Sequence, residues 1–396
     1  MKIVFVTNFF NHHQKPLAEA LHRVTQGNYR FVETKPIVEE RLAMGWQNQH
    51  TSYVDVCYEH PDPEHEQTKA CAALIRDADM VMTGSAPEHL ITPRIQEGKL
   101  LFRWSERPLK IKIGPLRTLR ARMVLRSQNP AKKPIYMLCS SAYTAGDFAK
   151  LGVYKNRTYK WGFFPATKHY EDTEAFMARK DPTEILWCGR FIDWKHPDDA
   201  IRVAAMLKKE GYHFHLNIIG RGEMQETLAS LVKELHVEDC VRFLGTMSAE
   251  AVREHMEKAG IYLFTSDRRE GWGAVLNESM NSGCGVVVSH ALGAAPFLIK
   301  NQQNGLLYES GNLKMLFEKV KLLLDHPELQ RRLGHAAYQT IVNEWNAEIA
   351  AERLVQLSRH ILEGEVYPDL FASGPCSQAT PYKESYADIV RLTTLE

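Results

Sequence analysis

Short apolar runs recur along the amino-terminal part of the chain at 2–7, 29–32, 54–57, 80–82, 100–102 and 135–139. Each is bounded by polar, Gly or Pro text and has the length of a buried strand. Between several of them lie stretches with apolar positions at helical spacing, of which 66–77 is the clearest. The segment 159–165 reads as a last strand running out into a linker, and a charged stretch follows it. The pattern then restarts, with apolar runs at 184–188, 214–219, 241–245, 261–265 and 286–288. Strand alternating with helix predicts parallel sheets flanked by helices, an α/β protein. The restart predicts two Rossmann-like domains, 1–165 and 166–362. The second closes with helices at 313–324, 327–343 and 347–362. Residues 363–396 form a tail of turn-rich text with a helical end.

With 396 residues, 44% hydrophobic and 24% charged, the chain is long enough for two globular domains. No apolar run approaches the roughly eighteen residues of a membrane span. The opening MKIVFVTNFF lacks a small-residue cleavage site and reads as a first core strand. Seven scattered cysteines without a C-x-x-C pair suggest reduced core residues, a cytoplasmic setting and no metal site. Charge alters this bland picture at one place. The formal net charge is +1, yet 107–134 holds nine Lys or Arg and no Asp or Glu, leaving −8 for the remainder. Within it Leu116, Leu119 and Met123 share helical spacing, with Arg117 and Arg122 on other faces and Arg120 at the stripe's edge. Leu125 falls on the polar side, so the amphipathic pattern is imperfect. The segment suits an anionic membrane surface at the inner face of the membrane, or simply a solvated helix. No nucleic-acid recognition fold accompanies it, so nucleic acid is not expected as a partner.

Candidate chemistry concentrates in 261–289, a strand–loop–helix–strand unit whose loop lies at the carboxyl end of its strand, where ligands of such folds bind. Glu270 ends the loop, and Glu278 lies eight positions on, within the helix. Gly271 and Gly273 between them allow close backbone approach. Carboxylates accept charge-assisted hydrogen bonds from sugar or ribose hydroxyls, and the helix start suits a phosphate. The plainer alternative is one solvated loop charge and one surface helix residue. Upstream, Arg190 and Lys195 flank a strand-to-helix turn, where two cations can clamp a diphosphate. In the first domain, His12 and His13 in the first loop, Ser85 in Thr83-Gly84-Ser85 and Glu106 in Trp104-Ser105-Glu106-Arg107 are candidates for sugar or acceptor contacts. The competing readings there are structural histidines, ordinary turn chemistry and a surface ion pair of Glu106 with Arg107. No G-x-G-x-x-G follows the first strand, which excludes a Rossmann dehydrogenase.

The text EGWGAVLNESMNSGCGVVVS resembles the signature of retaining glycosyltransferases of the GT-B fold, specifically glycosyltransferase family four. GRFIDWKH is similar to the G-R-…-K-G motif of that family. The resemblance runs over 184–362 and is weaker before it. It implies two domains facing each other across a cleft, a 363–396 tail that crosses back to the first domain, Glu270 on the donor sugar, Glu278 on the nucleotide ribose, and Arg190 and Lys195 on the leaving diphosphate. Gly189, Gly220, Gly245, Gly271, Trp272, Gly273, Ala274 and Val275 match the other donor-binding positions. Three departures stand out: Gly285 where the family has proline, His196 where it has glycine, and a first loop without paired glycines. The implied reaction moves a sugar, with retention, from a nucleotide diphosphate sugar to an acceptor hydroxyl. UDP stands ahead of GDP. The acceptor would be a glycan or a lipid-linked precursor of the cell surface, with no metal and no cofactor beyond the donor. Two alternatives are a sugar-nucleotide epimerase of the same fold and a non-catalytic sugar-nucleotide binding protein.

Overall fold

Ile3–Thr7 is apolar at every position but its last, and it is buried on both faces as β1, the fate of such a run inside a parallel sheet. In the computed structural model, which describes residues 1–39, 51–58, 62, 65–111 and 113–395, β1 is flanked on both sides. Its neighbours are β2 (Tyr29–Glu33) and β4 (Met80–Thr83), both parallel to it. With β3 (Val54–Val56), β5 (Leu101–Ser105), β6 (Ile135–Cys139) and β7 (Thr158–Lys160), they form a seven-stranded sheet of order β3-β2-β1-β4-β5-β6-β7. A second sheet has the order β10-β9-β8-β11-β12-β13. Its strands are β8 (Asp181–Cys188), β9 (His215–Ile219), β10 (Val241–Gly245), β11 (Ala259–Phe264), β12 (Gly285–Ser289) and β13 (Leu306–Tyr308). Every pairing in both sheets is parallel. Strand order reverses at β1/β4 in the first and at β8/β11 in the second. The loops after those strands diverge there and leave the crevice in which open α/β sheets bind ligands.

The chain falls into two units. The first comprises Met1–Ala166 with Asn346–Pro381, the second Thr167–Trp345 with Tyr382–Glu396. This corrects one expectation: the helix Ala347–Leu362 belongs to the first unit, not the second. It packs on the helix Lys15–Val24, and Arg23 pairs with Glu348 across that contact. Periodicity reveals that a helix has an apolar face but not which sheet's flank will cover it. Beyond it the chain runs along the exposed edge of β7, where Lys160 N donates to Ser377 O at 2.8 Å and Ala379 N to Thr158 O at 2.9 Å. Covering an edge strand in this way removes a site for unwanted pairing. The last residues return to the second unit as the helix Tyr386–Leu395, whose Tyr386 hydroxyl donates to Leu307 O at 3.2 Å.

Two further elements differ from the sequence pattern. Glu88–Glu97 is helical although it contains Pro93. Its fully buried Arg94 donates to the carbonyls of Leu100, Ile75, Ala78 and Asp79, tying helix ends to strand ends. β13, which is not among the apolar runs read above, is a short buried strand. Among the described residues no helix is long and apolar enough to cross a membrane.

Candidate functional site

In the second unit, β8 and β11 are neighbours, with Ile185 opposite Ile261 and Leu186 opposite Tyr262. Their trailing loops are therefore brought side by side. Lys195, after β8, donates from Nζ to Glu270 Oε2, after β11, at 2.5 Å, and both side chains are more than four-fifths buried. The Ser266 hydroxyl reaches the same carboxylate oxygen at 3.3 Å. Trp187 Nε1 donates to Thr265 Oγ1 at 2.8 Å, and that hydroxyl donates to Lys195 O at 2.6 Å, so the backbone beneath the lysine is fixed. Asp267 ties the loops together a second time. Its backbone N–H donates to Trp194 O at 2.9 Å, while its carboxylate accepts from Arg269 at 2.7 Å and lies 3.4 Å from His196 Nε2. Burial alone would raise the Asp267 carboxyl, yet the bonds from Arg269 hold it below the ordinary carboxylate range. Arg190 stacks over Trp194 at 5.9 Å on the same loop.

His196 adopts φ +47°, the left-handed conformation that a glycine takes freely. The glycine expected there is thus replaced without changing the turn, and the imidazole gains Asp267 as a neighbour. Gly220, after β9, has φ +139°, and a Cβ on it would land on the carbonyl oxygen of Gly189. Its N–H donates to Gly245 O at 2.8 Å, while Gly189 N–H donates to Ile219 O at 3.0 Å. Three of the expected donor glycines therefore hold the loop ends of β8, β9 and β10 in mutual backbone contact.

Glu278 lies in the seven-residue helix Val275–Asn281, with Ala274 at its N-cap. Its carboxylate makes no hydrogen bond or ion pair among the described residues. Burial raises its pKa above the ordinary range, opposed only by the charge of Arg253. Its charge and that of Lys195 both act on the Cys188 thiol at the end of β8, which places them around one strand terminus. Gly273 has φ +83° and is closed in by Leu292 and Phe264. Gly271 is buried and Ala274 and Val275 are half-buried. Trp272 is fully buried, with its indole N–H donating to Asn277 Oδ1 at 2.8 Å and its ring beside Trp345. The Trp272 side chain is therefore part of the core. Arg253 escaped the sequence reading. It is buried beneath this helix, donates to Glu278 O at 2.9 Å and bonds Asn281 Oδ1. A lone arginine in a polar helix carries no signal of that role.

In the first unit, a pocket of about 430 Å³ opens at the carboxyl ends of β1, β4 and β5. Of the four predicted residues, His13, Ser85 and Glu106 line it and His12 does not, although its ring lies 4.0 Å from that of His13, tilted by 44°. Gly84 is required here, because a Cβ would stand 2.7 Å from Thr7 Oγ1, which also accepts from Ser85 N at 3.1 Å. Trp104 and Phe163, with ring centroids 5.0 Å apart, provide an aromatic wall. Glu106 and Arg107 each have a further partner. Glu106 meets Lys110 at 2.6 Å, while Arg107 is buried against Asp147 at 3.1 Å and over the Tyr143 ring. Among the described residues, no three His, Cys, Asp or Glu side chains are grouped to hold a metal ion.

Residues 171–340 match the family described as glycosyl transferases group 1. The match falls within the second unit. An uncharacterized glycosyltransferase of Haemophilus influenzae is 29% identical to the chain over 177 residues, 43% of this chain and 49% of that protein. A Campylobacter jejuni N-acetylgalactosamine-N,N'-diacetylbacillosaminyl-diphospho-undecaprenol 4-alpha-N-acetylgalactosaminyltransferase is 32% identical over 161 residues, 41% of this chain and 42% of that one. The matched part of the chain thus spans about half the length of such relatives. Over almost the whole chain the fold is that of GT-B glycosyltransferases. Anabaena HepE, solved with UDP, superposes with a TM-score of 0.66 at 15% identity, covering 92% of this chain and 99% of that one. A variant of S. aureus TarM, solved with fondaparinux, alpha-GlcNAc-glycerol and UDP, gives 0.56 at 14% identity, covering 74% and 59%.

Proposed function

We propose that the protein transfers a sugar from a nucleotide diphosphate sugar to an acceptor hydroxyl, with retention of configuration and without a metal. The observation that carries this reading is the arrangement at the end of β8. There Lys195 is held against Glu270 while the half-buried Glu278 carboxylate has no hydrogen-bond partner among the described residues. An ionised carboxylate in that state gains most from an external pair of hydroxyls, the feature a ribose supplies. Lys195 and Arg190 would hold the diphosphate and stabilise the charge that grows on it as the glycosidic bond breaks, a preorganised electrostatic contribution. Glu270, beside Lys195, would orient the donor sugar. The UDP in the HepE and TarM structures favours UDP as the leaving group. The polar pocket of the first unit, with its Trp104 and Phe163 wall, suits the hydroxyl and apolar faces of a glycan acceptor. The diphospho-undecaprenol in the Campylobacter relative's name supports a lipid-linked precursor as that acceptor.

A thermal-shift screen of nucleotide diphosphate sugars tests the donor half. A binder at about a hundred times its Kd should stabilise the protein by roughly 2.7 kcal/mol. The positive donor is then incubated with glycan and lipid-linked acceptors in chelator, and the anomeric configuration of the product is read by NMR. Failure of every nucleotide sugar to raise the melting temperature would remove the donor reading. An inverted or metal-dependent product would remove the mechanism. Interconversion of the free donor to its epimer would instead identify an epimerase.

A further inference from the structure

The helix Pro115–Gln128 reverses the usual relation of an amphipathic helix to its protein. Thr118, Ala121, Leu125 and Gln128, at i, i+3, i+7 and i+10, are its half-buried positions and so form the face turned to the body of the first unit. Leu116, Leu119 and Met123 lie roughly on the opposite side and are 84%, 54% and 60% exposed. Val124 and, just before the helix, Ile111 and Ile113 are exposed as well. Six of the large apolar side chains that the described residues leave open to solvent thus gather within 111–124. Leu125, the residue that spoils the sequence stripe, is the one that packs inward. No residue of the helix is fully buried, so apolar contact with the protein contributes little to keeping it in place. Its attachment is largely polar: Arg122 donates to Lys150 O at 2.7 Å and Arg126 to Gly152 O at 3.3 Å.

Charge selects the partner. From 107 to 134 there are nine basic residues and no acidic one. Lys112 lies outside the described residues. Arg107 and Lys110 are neutralised by Asp147 and Glu106, whereas the carbonyl bonds of Arg122 and Arg126 leave their charge intact. Arg117, Arg120 and Lys132 are exposed and have no hydrogen bond or ion pair among the described residues. A second copy docking through this face across a two-fold axis would set like charges against each other, which disfavours self-association. A polyanion without an apolar layer would satisfy the arginines and leave Leu116, Leu119 and Met123 in water. An anionic lipid surface answers both features, with apolar side chains entering the acyl boundary and cations resting among headgroups.

We propose that this helix is a docking surface for anionic lipid bilayers, lying in the plane of the interface with Leu116, Leu119 and Met123 inserted. The inference rests on the first unit alone and is independent of the donor chemistry, so its failure would leave the glycosyl-transfer reading standing.

The test is co-sedimentation of the full chain with vesicles of phosphatidylglycerol and phosphatidylcholine, against vesicles of phosphatidylcholine only, at low and high salt. The parent protein should pellet with the anionic vesicles at low salt and be released as salt rises. Arg117→Gln and Arg120→Gln should each weaken binding about fivefold, the factor for one basic residue at such a surface. Leu116→Ser, Leu119→Ser and Met123→Ser together should weaken it by at least ten- to hundredfold at unchanged charge. These side chains are exposed, so circular dichroism and melting temperature should match the parent. As a second readout, Met123→Trp should shift the fluorescence emission to the blue with anionic vesicles. Parent protein that stays in the supernatant at low salt overturns the proposal. So does undiminished binding by the triple serine variant, an unshifted emission from the Met123→Trp variant, or binding to single-stranded RNA without binding to vesicles.

Discussion

Replacing Lys195 by Met removes one member of an ion pair whose two side chains are 14% and 17% exposed. Breaking a fully buried pair costs about 3–5 kcal/mol, because the surviving charge is left without compensation. Here Ser266 Oγ, 3.3 Å from the same Glu270 oxygen, and the remaining solvent access relieve part of that penalty. The loss should therefore be about 2–3 kcal/mol. For a unit of this size each kcal/mol moves the melting temperature by about 2–4 °C. A fall of roughly 4–12 °C follows, confined to the second unit. Because two units need not melt together, scanning calorimetry should be paired with hydrogen exchange at β8 and β11, which locates the loss. The decisive comparison is the double variant Lys195→Met/Glu270→Gln. It removes the orphaned charge, so it should be more stable than Lys195→Met alone by about 1–2 kcal/mol. Turnover with an identified donor should fall about 10²- to 10³-fold in the single variant, the scale of losing one preorganised contact to developing charge. A single variant as stable as the parent, or a double variant no more stable than Lys195→Met alone, would refute the reasoning about this pair.

Three further outcomes are expected. The folded-state pKa of Glu278 is raised above its unfolded value. Its ionisation therefore costs stability, a cost absent below the unfolded pKa of about 4.3 and complete once pH has risen through the folded value. Glu278→Gln should accordingly raise the melting temperature near neutral pH, with the gain shrinking toward pH 4, while calorimetry shows weaker binding of the free nucleoside diphosphate. Gly220→Ala should cost more than about 3 kcal/mol by urea unfolding, since its Cβ meets Gly189 O. Gly245→Ala, at φ +72° with open space around it, should cost only about 1–2 kcal/mol. Glu106→Gln breaks a half-exposed pair with Lys110 worth less than about 1 kcal/mol. It should leave stability and donor KM unchanged and raise acceptor KM in steady-state kinetics; an unchanged acceptor KM would remove the first-unit pocket from the acceptor site.

By itself the sequence determined the α/β class and the restart of the pattern. It also fixed the two loops that meet at Lys195 and Glu270. The reason is local: a strand buried on both faces must be continuously apolar, and a loop at a strand end must be polar, so both are written in consecutive residues. What it left undetermined depends on partners distant in the chain. Arg253 supports the helix of Glu278 from 25 residues away, and Arg107 is paired with Asp147, 40 residues on. The helix Ala347–Leu362 has a legible apolar stripe, yet only the packing against Lys15–Val24 assigns it to the first unit. Trp272 reads as a ligand contact in its loop and becomes core because Phe297 and Trp345 close around it. The basic helix shows the same division most plainly. Its apolar stripe at 116, 119 and 123 is visible in the sequence, but a stripe is the same pattern whether it faces a core or the solvent. Only the tertiary structure, by packing Thr118, Ala121, Leu125 and Gln128 inward, decided that it faces out.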